Sequence, residues 1–281
     1  MSAPPLSRAT PSMTGAGGRL GALIGVVLVI LWLAVALVAP WLAPYAEGAR
    51  DLAAPMASAS PAHRLGTTED GTDVLSALIW GARVAAIVGL GTAIVSTAIG
   101  SAVGLVSGYA GGLIDLVVMR VVEIFLAFPG FLLALLVVFI VGEGSLLSVT
   151  VALNLTAWAG TARLVRGQVL SVKRRDFITA ARALGASRRR ILFVHLLPNV
   201  MGPVIVQATF ILAGAILAEA SLSFLGLGPE DATSWGALLE EGAVLFMKTP
   251  SLAMWSGMAL GLTVLGVNLL GDALRDRLDP R

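Results

Sequence analysis

Cysteine is absent from this 281-residue chain, charged residues make up only 13% of it, and histidine and lysine occur twice each. The missing cysteines exclude a disulfide framework, a thiolate metal site and a cysteine nucleophile. His63 and His195 stand too far apart in sequence to form a local metal pair. Neither Lys173 nor Lys248 lies in a glycine-rich phosphate loop. No GxxxxGKS/T, HExxH or GxSxG pattern occurs either, which excludes phosphate-loop ATP binding and the common zinc and serine hydrolase chemistries. With a net charge of +2, nothing points to a nucleic-acid partner.

What the chain has is apolar length: 57% of its residues are hydrophobic, well above the soluble norm, so a water-soluble enzyme is excluded. A hydrocarbon layer of about 30 Å needs roughly 20 apolar helical residues. Six charge-free runs approach that length: Leu20 to Ala43, Val84 to Val106, Ile124 to Val141, Leu146 to Ala162, Leu196 to Ala218 and Ser251 to Gly271. The predicted fold class is therefore an all-α integral membrane protein with six helices. The first run exceeds the apolar length of a signal peptide and is read as an uncleaved span. Residues 1–19 are expected to be a disordered tail, 44–83 an outer segment, 84–271 a five-helix core, and 272–281 a second tail.

Basic loops remain on the cytoplasmic side. With the N-terminus inside, fifteen Lys and Arg fall on the cytoplasmic face, nine of them between Arg163 and Arg190, against four outside. Both termini are therefore expected in the cytoplasm. The outer segments carry helical periodicity at Thr72 to Trp80 and Trp235 to Phe246. Gly100, Gly104, Gly108 and Gly112 recur every four residues and predict a smooth face for close helix packing, as do Gly257 and Gly261.

Ionisable residues near the spans are few. Arg120 and Glu123, three apart, read as a local pair. Glu219 reads either as a helix-end residue in contact with water or, with Ser221 and Ser223, as part of a pathway or gate. The loop from 163 to 195 carries more information. Asp176 is placed to cap a helix with Phe177, Ala180, Ala181 and Leu184 on one apolar face, and Gly185 to end it. A second helix is predicted from Ser187 to a break before Pro198. An apolar face set among arginines, off the membrane, asks for a protein partner, whereas topology alone explains only the charges.

The run AARALGASRRRILFVHLLPN resembles the EAA loop of binding-protein-dependent ABC importer permeases, with Ala180, Ala181, Gly185, Leu197 and Pro198 in matching places and Thr179 where the pattern has Glu. LGTTEDGTDVLSALIWGAR, GLVSGYAGGLIDLVVMRVVEIFLAFPGFLLAL, EASLSFLGLG and NLLGDALRDRLDP are similar to blocks of the C-type permease of dipeptide, oligopeptide and nickel importers. Met254-Trp255-Ser256-Gly257 departs from that family's Phe-Pro-Gly. The resemblance implies a type I importer in a prokaryotic cytoplasmic (inner) membrane. This chain would pair with a homologous second permease subunit, above two ATPase subunits that hold ATP and Mg, and receive solute from an extracytoplasmic binding protein. The chain itself would carry no cofactor and catalyse no bond change. It also implies that Asp176, Phe177, Thr179, Ala180, Ala181, Arg182, Ala183, Leu184, Gly185 and Ala186 seat on the ATPase. Peptides are favoured over nickel because no His or Cys lies within the six runs. The rival reading is a self-contained secondary carrier or channel, against which stand the capped loop helix and the lack of midplane charge.

Overall fold

The computed structural model describes residues 16–141 and 144–278. The predicted tail before residue 16, the acid at position 143 and the last three residues lie outside the described residues. Among the described residues nine helices follow in order: α1 (Ala16–Leu42), α2 (Val74–Ala110), α3 (Gly112–Ala127), α4 (Gly130–Val141), α5 (Leu146–Val172), α6 (Asp176–Ala183), α7 (Arg188–Phe224), α8 (Trp235–Val244) and α9 (Pro250–Leu278). No strand occurs among the described residues beyond two isolated bridges, Arg50 with Thr72 and Thr67 with Asp73.

Four helices, α1, α2, α7 and α9, are long and apolar enough to cross a bilayer alone, and the α3–α4 pair brings the number to five if its two arms form one span. The sequence reading expected six. The run Ile124 to Val141 is not one rod, because α3 and α4 meet at 88°. Pro129 causes this: its ring excludes the helical conformation at Phe128, which adopts φ −91° and ψ 141°. The run Leu146 to Ala162 lies within α5, whose Asn154, hydroxyls and two arginines leave it less apolar than the others. Asn154 is tolerated because it faces α2, where Ser96 Oγ donates to its Oδ1 at 3.1 Å.

Contact between α2 and α5 is the most extensive in the fold, and glycine makes it possible. A methyl group at Gly100 would come within 2.5 Å of the Trp158 carbonyl oxygen, one at Gly104 would collide with that of Ala162, and one at Gly108 would press on Val169. Gly112 lies outside this contact, and Gly257 and Gly261 have no backbone of this chain close to them. A core of Val29, Trp32, Val74, Ala85, Ile216 and Trp235 joins α1, α2, α7 and α8.

Thr72 to Trp80 does not form a separate outer helix, since α2 runs unbroken from Val74. Its start is held by Asp73, whose Oδ2 accepts from Ser76 N at 2.8 Å. The other oxygen of Asp73 faces His63 Nδ1 at 3.1 Å, and Asp51 Oδ2 lies 3.4 Å from Nε2, which fastens the outer segment to α2. The second predicted outer helix is present as α8, capped by Ser234.

Candidate coupling surface and buried polar sites

Helix α6 is short, and one side chain fixes it. Ile178 is wholly buried among Val169, Val172, Ile191 and Leu196. Phe177 and Leu184 point the other way, 40% and 88% exposed, with Ala180 also exposed between them. Residues 177, 180 and 184 share one helical face. Ala181, expected on that face, is instead half-buried on the flank nearer Ile178. Asp176 does not cap the helix: Arg175 is the N-cap without a side-chain bond, and Asp176 occupies the first turn, where its charge suits the helix dipole. Thr179, Arg182 and Ala183 are exposed and Ala186 is half-buried. Gly185 ends the helix at φ +79°, a left-handed conformation that a β-branched side chain resists.

Ser187 accepts from Arg190 N and starts α7 as expected. The predicted break before Pro198 does not occur. Proline has no N–H and its ring crowds the carbonyl four residues back. Residues Ile191–Leu196 widen into a π-turn, with Leu197 N–H reaching Leu192 O, and the helix continues through Pro198.

Glu219 lies on α7 and is 2% exposed, so it is not a helix end in contact with water. Its Oε1 accepts from Ser223 Oγ at 2.8 Å and Ser234 Oγ at 2.6 Å, while Ser234 Oγ accepts from Gly236 N. Glu219 and Ser223 are thus brought together, and they hold the N-cap of α8. Ser221 stands apart, exposed and bonded to the Leu217 carbonyl of its own helix. Nothing in the sequence pairs Glu219 with a serine fifteen residues away. Arg120 and Glu123 do form an exposed local pair at 3.0 Å.

Acids also tie the outer loops together. Glu241 Oε1 accepts from Glu69 N at 2.6 Å, Glu47 Oε1 from Thr233 N at 3.2 Å, and Asp231 Oδ1 from Leu146 N at 3.1 Å. Glu47, Asp70, Glu230, Asp231 and Glu241 line a polar cavity of about 280 Å³. Burial pushes the Glu241 carboxyl above the ordinary glutamate range, against the lowering effect of the Glu69 N–H, and nearby Asp70, Glu69 and Glu240 raise it further. Sequence reading also missed a link between α5 and α3, where Arg166 makes two bonds to Asp115, 51 positions away. Among the described residues no three His, Asp or Glu side chains are gathered closely enough to hold a metal ion.

Residues 100–281 match the family model described as binding-protein-dependent transport system inner membrane component. The chain is 41% identical over 249 residues to the oligopeptide transport system permease protein OppC of Haemophilus influenzae, across 87% of this chain and 79% of that protein. It is 39% identical to the di/tripeptide transport system permease protein DppC of Pseudomonas aeruginosa, across 93% of this chain and 88% of that one. To the glutathione transport system permease protein GsiD of Pectobacterium atrosepticum it is 40% identical, across 90% and 84%. The several apolar helices and the match over the C-terminal two-thirds of the chain agree, and the protein belongs to the binding-protein-dependent transport system inner membrane components as a multi-pass membrane permease.

Proposed function

We propose that this chain is one of two membrane-spanning subunits of an ATP-driven, binding-protein-dependent importer of di- or oligopeptides. It crosses the inner membrane six times, with α5 and the α3–α4 pair each counted as a span, and keeps both termini in the cytoplasm. The observation that carries the reading is α6: a helix pinned by Ile178 that turns Phe177, Ala180 and Leu184 to water beside Arg174, Arg175 and Arg188. An exposed apolar cluster rimmed by charge marks a place where a partner docks, and the ATPase subunits are that partner. Peptide cargo is supported by the names of the relatives, which transport oligopeptides, di- and tripeptides and glutathione.

The chain makes and breaks no bond. ATP and Mg are held by the partner subunits, and closure of those subunits shifts this chain between inward- and outward-open arrangements by favouring one position of α6. Glu219 and Ser223, by holding α8 at the outer mouth, brace the part that a gate must move, and Ser221 lies on the opposite, exposed face of α7. The test is reconstitution in proteoliposomes. The chain with a homologous permease, two ATPase subunits and a loaded binding protein is expected to accumulate labelled dipeptide only with ATP. Uptake driven by an ion gradient with this chain alone would establish a secondary carrier, and uptake of Ni²⁺ but not of peptide would overturn the cargo.

A further inference from the structure

Three cations on the coupling side of the molecule close on one short stretch, the elbow where α2 turns into α3. Arg166 Nε and Nη2, on α5, donate to Asp115 Oδ1 and Oδ2 at 2.5 and 2.6 Å. Ser107 Oγ donates to the same Oδ1. Lys173 Nζ donates to Gly108 O at 2.7 Å, and the Arg182 guanidinium of α6 stands 5.7 Å from the centre of the Tyr109 ring. Every receiving group lies between Ser107 and Asp115, and every cation between Arg166 and Arg182, the stretch that ends in α6. Gly111 and Gly112, at φ +68° and +55°, make the turn of the elbow itself.

On its other side α6 meets α7 through apolar contact, Ile178 against Ile191 and Leu196. Among the described residues no side-chain hydrogen bond or ion pair joins α6 to α7. The two attachments respond differently to a push. Apolar contact has no preferred direction and lets packed surfaces slide. A bidentate guanidinium–carboxylate pair is fixed in distance and angle. That pair joins α5 to α3, and α6 is carried on the end of α5, where Ile178 also packs against Val169 and Val172, so a displacement of α6 reaches the elbow through the end of α5.

We propose that Asp115, gripped by Arg166 and bonded by Ser107, is the positioning residue that hands movement of α6 and the end of α5 to α3 and so to the bent α3–α4 pair. This rests on the reading of α6 as the docking element for the ATPase subunits. The test uses the whole reconstituted complex and measures peptide imported per ATP hydrolysed. If the wild-type complex imports no peptide, the functional reading fails. Otherwise Asp115→Asn is expected to assemble and hydrolyse ATP while import per ATP falls about tenfold, the scale for losing one charge-assisted contact. The exchange Asp115→Arg with Arg166→Asp is expected to recover much of that loss, a recovery not expected from a contact that serves stability alone. Import per ATP unchanged in Asp115→Asn overturns the proposal, and so does a charge exchange that assembles and hydrolyses ATP without regaining coupling. If Asp115→Asn fails to assemble, Arg166→Lys decides, since it keeps the charge but loses the two-pronged geometry: a fall in import per ATP supports the proposal, an unchanged ratio overturns it.

Discussion

Replacing Glu219 separates the role of its oxygen from that of its charge. In Glu219→Ala the Ser223 and Ser234 hydroxyls, 4% and 1% exposed, lose their acceptor together. Each buried group left unmatched costs about 1–3 kcal/mol, and the space left by the missing side chain adds about 1 kcal/mol more. The sum is about 3–5 kcal/mol after allowing for partial relaxation. Glu219→Gln keeps the size of the side chain and a carbonyl oxygen in the place of Oε1, so its cost is expected to be about 1 kcal/mol or less. At roughly 2–4 °C per kcal/mol for a chain of this size, Ala lowers the melting temperature by about 6–20 °C and Gln by no more than about 4 °C. Thermal unfolding in lipid nanodiscs, followed by tryptophan fluorescence, measures both, and hydrogen exchange at Gly236 reports whether α8 loosens first. An Ala variant that melts with the wild type would refute the assignment of Glu219 as the acceptor holding α8. A Gln variant as damaged as Ala would show that charge, and not the acceptor, matters there.

Three further outcomes are expected. Gly104→Val should separate α2 from α5, because its Cβ meets the Ala162 carbonyl, and lower the folded yield by the 1–3 kcal/mol typical of overpacking; fluorescence-detected size exclusion measures this. Ala180→Arg should leave insertion intact but release the ATPase subunits on purification, whereas Gly185→Val should keep the subunits and weaken stimulation of ATP hydrolysis by loaded binding protein; co-purification and ATPase assays check both. Glu241 has its pKa raised in the folded chain, so its stabilising effect is complete below the ordinary glutamate pKa and is lost as pH rises through the raised value. Above the ordinary glutamate pKa this junction should therefore loosen as pH increases, and Glu241→Gln should flatten that dependence in protease-protection measurements.

What was legible in the sequence is what depends on neighbours a few residues apart. The spacing of Gly100, Gly104 and Gly108 is a property of one helix, and it identified the packing face before any partner was known. Ser187 as a cap, Gly185 as a stop and the periodicity of α8 are local in the same sense. Span boundaries were less legible, because hydropathy registers apolarity and not direction: Phe128–Pro129 is as apolar as its flanks and still turns the chain through 88°. Ala181 and Ile178 show the limit at finer scale, since an eight-residue helix has two apolar flanks and only the rest of the fold decides which is covered. Asp115 with Arg166, and Glu219 with Ser234, were not legible because each pair is brought together by tertiary packing and neither partner marks the other.

The length of α2 gives the fold a mechanical gain. At 1.5 Å per residue its 37 residues make a rod about 55 Å long, well beyond the thickness of the hydrocarbon layer. One of its closest approaches, Gly104 on α5, sits near the end that meets α3, with about 9 Å of rod beyond it and about 45 Å on the other side. A stiff rod that tilts about such a fulcrum multiplies displacement by about five, so 1 Å at the elbow becomes about 5 Å at Asp73. A small push at the elbow is thereby enlarged at the end where Asp73 meets His63, and Trp235 against Gly81 has to yield with it.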